Sequence, residues 1–396
     1  MLFNVNELLI SLSRTLDFAE KEILPNNTNH GTRAAYIAGR IARKLAVPDE
    51  PLFDLISYSL LHDNGVVGTL KKTGRLRKPA EAVLEADPDH CVAGEKNIRS
   101  FPFLNPQKNV ILYHHEHFDG SGYFGLSGSD IPLYSRIIAM ADTLAILYSE
   151  GMSSADILQT VRRDSRFFDP DVYDAVMDLG GRIEFWLGMD DMFVKSTLLT
   201  MLPKVTREFT YRQIRGISQI FSRVIDAKSP FTGSHSRGIS ERTGVLCRYY
   251  DFDEKTYWMM RIAADLHDLG KLAVPNSILD KPAKLDREEF MIIQSHPFYT
   301  RRILEMIRGF EAITEWASNH HEKLDGSGYP YGLDRSQLDF NSRILACVDI
   351  YQALTEDRPY RKAIPHAQAM KLMQGMARDG LIEPSVTEDM DTLFRE

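Results

Sequence analysis

The sequence predicts an all-α protein made of two tandem helical domains joined by a linker helix. Apolar residues recur at helical spacing, as in Leu8, Leu9, Leu12 and Leu16, which form one stripe of a helix. Alternating runs of β-branched residues between turns, the pattern typical of strands, are hard to find. Most directly, the histidines of the second half repeat those of the first half.

The repeat is visible in the spacing of ten of the twelve histidines. The two sets are His30, His62, His90, His114 and His115, and then His235, His267, His296, His320 and His321. Corresponding members are 205 or 206 residues apart, and each His-His pair is followed by Glu and then by DGSGY. Chance does not keep five histidines in register over half a chain, so the halves are copies of one domain.

We place the domains at residues 1–195 and 196–396, each within the usual size range of a domain. The linker falls around residues 190–210. Beyond it, helical spacing of apolar residues predicts a helix that enters the second domain. These residues are Ile217, Ile220, Phe221, Val224 and Ile225. Gly and Pro indicate a loop at residues 325–332.

Composition narrows the classes of function. The net charge is −8 without a long basic run, which argues against a DNA or RNA polymer as the ligand. No apolar segment reaches the ~18 residues of a membrane span, and no secretory signal is evident, so we expect a cytoplasmic protein without a membrane partner. Cys91, Cys247 and Cys347 form no CxxC pair and are expected to be reduced and buried.

The second half contains the donor groups of a two-metal site. Hydrolysis of a phosphodiester needs charge neutralisation and a strong nucleophile, and two divalent ions about 3.5–4 Å apart supply both. Asp268 directly follows His267, so on a helix both side chains can point into one cavity and the aspartate can bridge two ions. Lys271 lies four residues after His267 and is the candidate contact to a scissile phosphate. Imidazole and carboxylate donors without thiolate favour Fe or Mn, with Ni or Mg as alternatives.

Plainer interpretations exist for each of these residues. A lone histidine is more often a core or surface residue than a metal ligand. Five histidines with two aspartates, duplicated in register, favour metal binding instead. The DGSGYP segment by itself is typical of a simple turn. Because it follows His320 and His321 closely, we interpret it as a loop that shapes the site.

Four segments of the second half carry a resemblance to a known family. They are HDLGK at 267–271, SHP at 295–297, HHEKLDGSGYP at 320–330 and VDIYQALTEDRPYR at 348–361. These segments resemble the HD-GYP phosphodiesterases, a subgroup of the HD superfamily. The resemblance implies an all-α domain with a binuclear or trinuclear Fe or Mn centre. It also implies hydrolysis of bacterial cyclic dinucleotides, namely cyclic di-GMP and, for some members, 3′,3′-cyclic GMP-AMP.

The resemblance also assigns site residues by position. The implied metal ligands are His235, His267, Asp268, His296, His320, His321 and Asp349. The family's phosphate-contacting lysine falls on Lys271, so Lys271 and Asp268 are the expected catalytic residues. Further expected substrate contacts are Arg358 and Arg361, since arginine suits both phosphate and guanine, together with Tyr329 and Arg343.

One departure from the family pattern concerns the number of metal ions. Trinuclear members place a glutamate four residues before the first histidine, and Phe231 stands there in this sequence. A phenyl ring cannot bind a metal ion. We therefore expect two ions and the linear dinucleotide as the product.

The first half keeps the ligand positions but loses the substrate contacts. The retained positions are His30, His62, Asp63, His90, His114, His115 and Asp142. Val66 replaces Lys271, while Gly151 and Ser154 replace the two arginines. Because valine cannot neutralise a phosphate, we expect no turnover in this half. It holds a second, non-catalytic metal set, or it remains as a degenerate copy for packing or regulation, or it senses a ligand.

The expected function is that of a metal-dependent phosphodiesterase that opens a cyclic dinucleotide. One alternative is a non-catalytic signalling module that binds a cyclic dinucleotide, and the intact Lys271 argues against it. The other is an HD-type nucleotide phosphohydrolase, and the GYP loop argues against that. The first domain is the expected intramolecular partner, and a homodimer is the commonest assembly for such a protein, although no interface is indicated.

Overall fold

The computed structural model describes residues 5–20, 28–68, 88–203, 208–228, 235–357 and 362–395. Within these ranges the chain forms helices, turns and loops without a β-sheet, which confirms the predicted all-α class. None of the helices in these ranges is both long enough and apolar enough to cross a membrane. Phe231, the reason for expecting two metal ions, lies outside the described residues, as do the expected substrate contacts Arg358 and Arg361.

The chain divides into two compact units, Met1–Glu208 and Phe209–Glu396. The described helices of the first unit are α1 (Val5–Glu20), α2 (His30–Lys44), α3 (Asp49–Leu60), α4 (Asp89–Asn97), α5 (Leu133–Ser149), α6 (Ser154–Arg163), α7 (Pro170–Gly180), α8 (Ile183–Leu187) and α9 (Val194–Met201). Those of the second unit are α10 (Tyr211–Lys228), α11 (His235–Tyr249), α12 (Glu254–Leu266), α13 (Asn276–Leu279), α14 (Arg287–Gln294), α15 (His296–Leu304), α16 (Glu311–Ser318), α17 (Phe340–Thr355), α18 (His366–Arg378) and α19 (Pro384–Leu393).

Helix α2 forms the centre of the first unit, where it packs against α3, α5 and α9. Gly39 lies at the contact with α9, because a Cβ atom there would stand 2.4 Å from the Met201 side chain. Helix α9 therefore belongs to the first unit by its packing. The expected domain boundary between residues 195 and 196 falls inside this helix, whereas the two units divide after Glu208.

The core of the second unit forms where α11 packs against α12 and α17, and where α12 packs against α10 and α16. The predicted helix after the linker is α10, and its apolar stripe is buried as expected; the buried members include Ile214, Ile217, Ile220, Phe221, Val224 and Ile225. Burying each such side chain stabilises the fold by roughly 1.5–3 kcal/mol. This packing fixes the positions of the helix ends that carry the expected metal ligands of the second unit.

Candidate metal centre

The second unit gathers all seven expected ligands into one cluster. They are supplied by helix starts (His235 of α11, His296 of α15), by the turns after α12 and α16 (His267, Asp268, His320, His321) and by the middle of α17 (Asp349). All of them are buried except His321, which is partly exposed. Five separate chain segments thus converge on one small volume.

Asp268 lies at the centre of this cluster. Its Oδ2 atom is 3.7 Å from His235 Nε2 and 3.2 Å from His267 Nε2. Its Oδ1 atom is 3.2 Å from His296 Nε2 and 3.8 Å from His320 Nε2. Each oxygen of one carboxylate therefore faces a different pair of histidines, as a carboxylate that bridges two metal ions must do.

Asp349, in α17, contributes further oxygen donors to the two candidate metal positions. Its Oδ1 atom is 3.4 Å from His235 Nε2 and 3.9 Å from His267 Nε2, and its Oδ2 atom is 3.8 Å from His321 Nδ1. One position is thus surrounded by two histidines and two aspartates. The other is surrounded by three histidines and the second oxygen of Asp268.

Backbone carbonyls fix which ring nitrogen faces the cluster. The Nδ1 atoms of His267, His296 and His320 lie 2.8, 2.7 and 2.7 Å from the carbonyl oxygen three residues earlier. A carbonyl only accepts hydrogen bonds, so each Nδ1 donates its proton there. The Nε2 lone pair is then directed into the cluster, which is the usual arrangement of histidine ligands.

Two buried atoms test whether metal ions fit. Neither His267 Nε2 nor Asp268 Oδ1 has a well-directed hydrogen bond with any described residue. An unsatisfied buried polar group costs about 1–3 kcal/mol. A divalent ion at each position would satisfy both atoms, so the donor set fits the binuclear group that the sequence implies.

The pKa shifts of His320, His321 and Asp268 suit the binding of a divalent ion. Burial keeps the pKa of His320 well below its usual range. Burial lowers the pKa of His321 to about 3. Burial would raise the pKa of Asp268, but the interactions with His267 and Lys271 outweigh burial and hold that pKa well below the usual range. Neutral imidazoles and an ionised carboxylate are the forms that metal binding requires.

Lys271 reaches the edge of the cluster through a 3₁₀ turn. Helix α12 ends at Leu266, and the turn Leu269–Ala273 replaces the helical continuation that would have placed the lysine above His267. Lys271 Nζ lies 2.6 Å from Asp268 Oδ2, and its side chain is 18% exposed. Gly270 is required in this turn, because a Cβ atom would stand 2.0 Å from the carbonyl oxygen of His296.

Glu322 organises the DGSGYP loop beside the cluster. Its buried carboxylate accepts hydrogen bonds from the backbone N–H groups of Tyr331 and Leu333, at 2.7 and 2.9 Å. Gly328 approaches so closely that a Cβ atom would stand 2.5 Å from Glu322 Cα. In this loop conformation, the ring centroid of Tyr329 lies 4.7 Å from that of His321. Tyr329 is therefore brought to the site, and the segment is more than a simple turn.

Arg343 does not join the cluster. Its guanidinium donates to Glu383 Oε2 at 2.9 Å and to the carbonyl oxygens of Leu338 and Arg335. These four hydrogen bonds occupy most of its donors, and they tie the start of α17 to the start of α19. We therefore assign Arg343 a structural role in place of the substrate contact expected from the sequence.

Glu356 contacts the cluster, and its position there was not predicted from the sequence. Its Oε2 atom lies 2.9 Å from His235 Nδ1, on the side of the ring away from the cluster. Burial would lower the pKa of His235, but its hydrogen bonds with Asp349 and Glu356 outweigh burial and raise it. A signal was available, because Glu356 follows Asp349 by seven residues, two helical turns, and thus lies on the same side of α17.

We expect Glu356→Gln to weaken metal binding without removing the site. An amide still accepts the His235 proton but no longer increases the basicity of the ring, and loss of such a partner typically costs about 10–100-fold in metal affinity. Titration of the metal-free chain with Mn²⁺ measures this change, with the exposed Glu388→Gln as the control. Unchanged affinity would show that Glu356 does not tune His235.

The first unit contains a second cluster with the same plan. Asp63 Oδ2 lies 3.6 and 3.3 Å from the Nε2 atoms of His30 and His62, and Asp63 Oδ1 lies 3.9 and 3.8 Å from those of His90 and His114. Asp142 Oδ1 lies 3.0 Å from His30 Nε2 and 3.5 Å from His62 Nε2. The donor positions of the repeat are thus retained in space as well as in sequence.

The surroundings of the first cluster differ from those of the second. By the repeat register, Val66 takes the place of Lys271, and Ser149 that of Glu356. A mostly apolar cavity of about 240 Å³ opens beside His115 and Asp142. Its lining includes Tyr123, Leu147, Val161 and Phe167. Such a cavity suits the hypothesis that the first unit senses a ligand.

The three cysteines are free and buried, as expected. Cys91, however, was interpreted only as a core thiol, and the structure places its sulfur 3.4 Å from His90 Nε2. Burial would raise the pKa of this thiol, but the nearby imidazoles of His114 and His90 outweigh burial and lower the pKa to about 6.

The fold and the two clusters define a class of protein: all-α, with a histidine–aspartate cluster that could bind metal in each of two repeated units. The family assignment follows from comparison with known proteins. The chain belongs to the HD domain family, whose model matches residues 6–172 and again residues 219–386. These two matches confirm the duplication inferred from the histidines. They also confirm that both halves are of the HD type.

Individual relatives cover nearly the whole chain. The 3'3'-cGAMP-specific phosphodiesterase 1 of Vibrio cholerae is 28% identical over 97% of this chain and 90% of its own length. Phosphodiesterase 3 of the same organism is 29% identical over 94% and 91%. The cyclic di-GMP phosphodiesterase PA4108 of Pseudomonas aeruginosa is 37% identical, but over only 36% of this chain and 35% of its own.

A solved structure shows the same architecture. The cyclic GMP-AMP specific phosphodiesterase V-cGAP3 of V. cholerae superposes with a TM-score of 0.66 and 26% identity, covering 100% of this chain and 98% of that one.

Proposed function

We propose that this chain is a metal-dependent phosphodiesterase whose second unit hydrolyses a bacterial cyclic dinucleotide to the linear dinucleotide. The observation that carries the proposal is the position of Asp268. One carboxylate faces a different histidine pair with each oxygen, and Lys271 adds a positive charge 2.6 Å away on the same edge. This arrangement combines a site for two cations with an additional cation for a bound phosphate.

The donor set supports a binuclear centre of Fe or Mn. The cluster of the second unit consists of imidazole and carboxylate groups, and no thiolate lies among its described members. When bound, two such ions would neutralise the phosphodiester oxygens and supply a nucleophile from water at neutral pH. Asp268 would hold the two positions at a fixed separation, and Asp349 would complete the set of donors around the first.

The chain's own residues around the centre have complementary roles. Lys271 lies at the partly exposed edge of the cluster, where an ammonium can contact a phosphate oxygen that gains charge during the reaction. The Tyr329 ring covers His321 and offers an aromatic surface at the same entrance. The first unit has Val66 in place of Lys271, so we assign turnover to the second unit alone.

We further propose 3′,3′-cyclic GMP-AMP as the preferred substrate. Two relatives that align over more than nine-tenths of this chain carry that substrate in their names. Relatives named for cyclic di-GMP, such as PA4108, align over half of this chain or less, as does a third relative named for 3'3'-cGAMP. The proposal therefore rests on the two relatives whose alignment includes the first unit.

A substrate panel tests the proposal. The full chain is loaded with Mn²⁺ or Fe²⁺, its metal content is measured, and it is assayed with 3′,3′-cyclic GMP-AMP, cyclic di-GMP and mononucleotide controls. We expect the linear dinucleotide from the hybrid substrate, with kcat/KM about tenfold or more above that for cyclic di-GMP, a difference of about 1.4 kcal/mol. Binding of a cyclic dinucleotide without turnover by the metal-loaded chain would support the signalling module. Hydrolysis of mononucleotides alone would support the nucleotide phosphohydrolase.

A further inference from the structure

Cys91 introduces a sulfur donor into the cluster of the first unit. The residue follows His90 in α4 and is fully buried. Its sulfur and one ring nitrogen from each of His90, His114 and His115 all lie within 4.8 Å of one another. In the second unit, the residue that corresponds to Cys91 in the repeat is Pro297, in the segment SHP. The two clusters therefore differ in donor chemistry at this point.

The distances around His90 fit a shared ion. At tetrahedral angles, Zn–S bonds of about 2.3 Å and Zn–N bonds of about 2.0–2.1 Å place sulfur about 3.5 Å from nitrogen. The separation between Cys91 Sγ and His90 Nε2 is 3.4 Å. In the second unit His296 Nε2 is 3.2 Å from the bridging carboxylate, whereas His90 Nε2 is 3.9 Å from Asp63 Oδ1. The imidazole of the first unit is thus farther from its carboxylate and adjacent to the thiol.

His114 provides an independent observation. Its Nδ1 atom lies 2.6 Å from the carbonyl oxygen of Ile111, to which it donates its proton. Its Nε2 atom then presents a lone pair to the cluster. That atom is buried and has no well-directed hydrogen bond among the described residues. A cation next to Cys91 would satisfy it.

We propose that the first unit binds Zn²⁺ through the Cys91 thiolate and the imidazoles of His90, His114 and His115. A thiolate shifts the preference from Fe or Mn, which suit the second unit, towards zinc. Three nitrogens and one sulfur complete a tetrahedral shell and leave no position for a substrate or a reactive water, as in structural zinc sites. Zinc binding releases the thiol proton to solvent. This zinc site is therefore structural, in accord with the loss of the lysine from the first unit.

Cobalt substitution tests the sulfur ligand directly. The full chain is stripped of metal and reconstituted with Co²⁺, which gives a near-ultraviolet sulfur-to-cobalt charge-transfer band only when a thiolate is bound. We expect the band in the wild-type chain, its displacement by added Zn²⁺, and its loss in Cys91→Ala. Cys247→Ala and Cys347→Ala are matched controls, because both thiols are buried elsewhere, and each variant should keep the band.

X-ray absorption at the zinc edge gives a second measurement that needs no variant. With substoichiometric zinc, the wild-type chain should show a sulfur scatterer at about 2.3 Å beside nitrogen scatterers at about 2.0–2.1 Å. Absence of the cobalt band in a wild-type chain that contains cobalt, or its persistence in Cys91→Ala, would overturn the proposal. A zinc shell of nitrogen and oxygen alone would do the same. None of these results depends on catalysis by the second unit.

Discussion

Asp268→Asn is expected to reduce kcat/KM of the proposed hydrolysis by about a thousandfold or more, which corresponds to about 4 kcal/mol. Asp268 is the carboxylate whose two oxygens face His235 and His267 on one side and His296 and His320 on the other. Asparagine keeps the shape but carries no charge, and its amide nitrogen is not a metal ligand. Both positions therefore lose affinity together, and the metal content of the purified variant should fall with its activity.

The control for this variant is Asp251→Asn. Asp251 is exposed at the end of α11 with φ of 53°, a left-handed conformation that asparagine also adopts readily. This change removes the same charge without touching the cluster and should leave activity and metal content unchanged. Thermal unfolding in chelator checks that both variants are folded. If Asp268→Asn kept wild-type activity and metal content, the assignment of the bridging role would be wrong.

The sequence alone could predict which residues form the clusters, because the repeat constrains them twice. Histidines that keep register over two copies are held by a common requirement, and an adjacent His-Asp pair can reach one volume from a single turn. The helical class follows from the apolar spacing in the same way. What periodicity cannot supply is the path of the backbone after a helix ends. Lys271 illustrates this, since a 3₁₀ turn rather than continued α-helix brings it to Asp268.

Residues that depend on partners distant in sequence were harder to predict. Arg343 has the charge expected of a phosphate contact, but Glu383, forty residues later, binds its guanidinium. Cys91 looked like a core thiol, because its neighbours His114 and His115 approach it only in the folded chain. Side-chain chemistry indicates what a residue can bind, whereas the tertiary packing decides which partner it meets.

Lys271→Met should lower kcat by about 10²–10³-fold, or about 2.7–4 kcal/mol, the usual effect of removing one preorganised charge-stabilising group. Methionine keeps the apolar stem, so the 3₁₀ turn and its packing at Gly270 remain, while the charge 2.6 Å from Asp268 is lost. Because the lysine is not a metal ligand, metal content should stay at the wild-type level. A lower kcat at unchanged metal content would show that Lys271 acts on the phosphate, whereas loss of a metal ligand would also lower the metal content.

Lys281→Met provides the matched control for this variant. Its ammonium also lies 2.6 Å from a carboxylate, that of Glu289, but outside the cluster, so the same substitution should leave kcat unchanged. Steady-state rates at saturating substrate, with elemental analysis of each preparation, give the comparison. Loss of metal from Lys271→Met would assign the lysine to holding Asp268 in place. Full activity of Lys271→Met would show that the lysine does not act on the phosphate. The replacement of lysine by Val66 would then not explain why only the second unit is proposed to be catalytic.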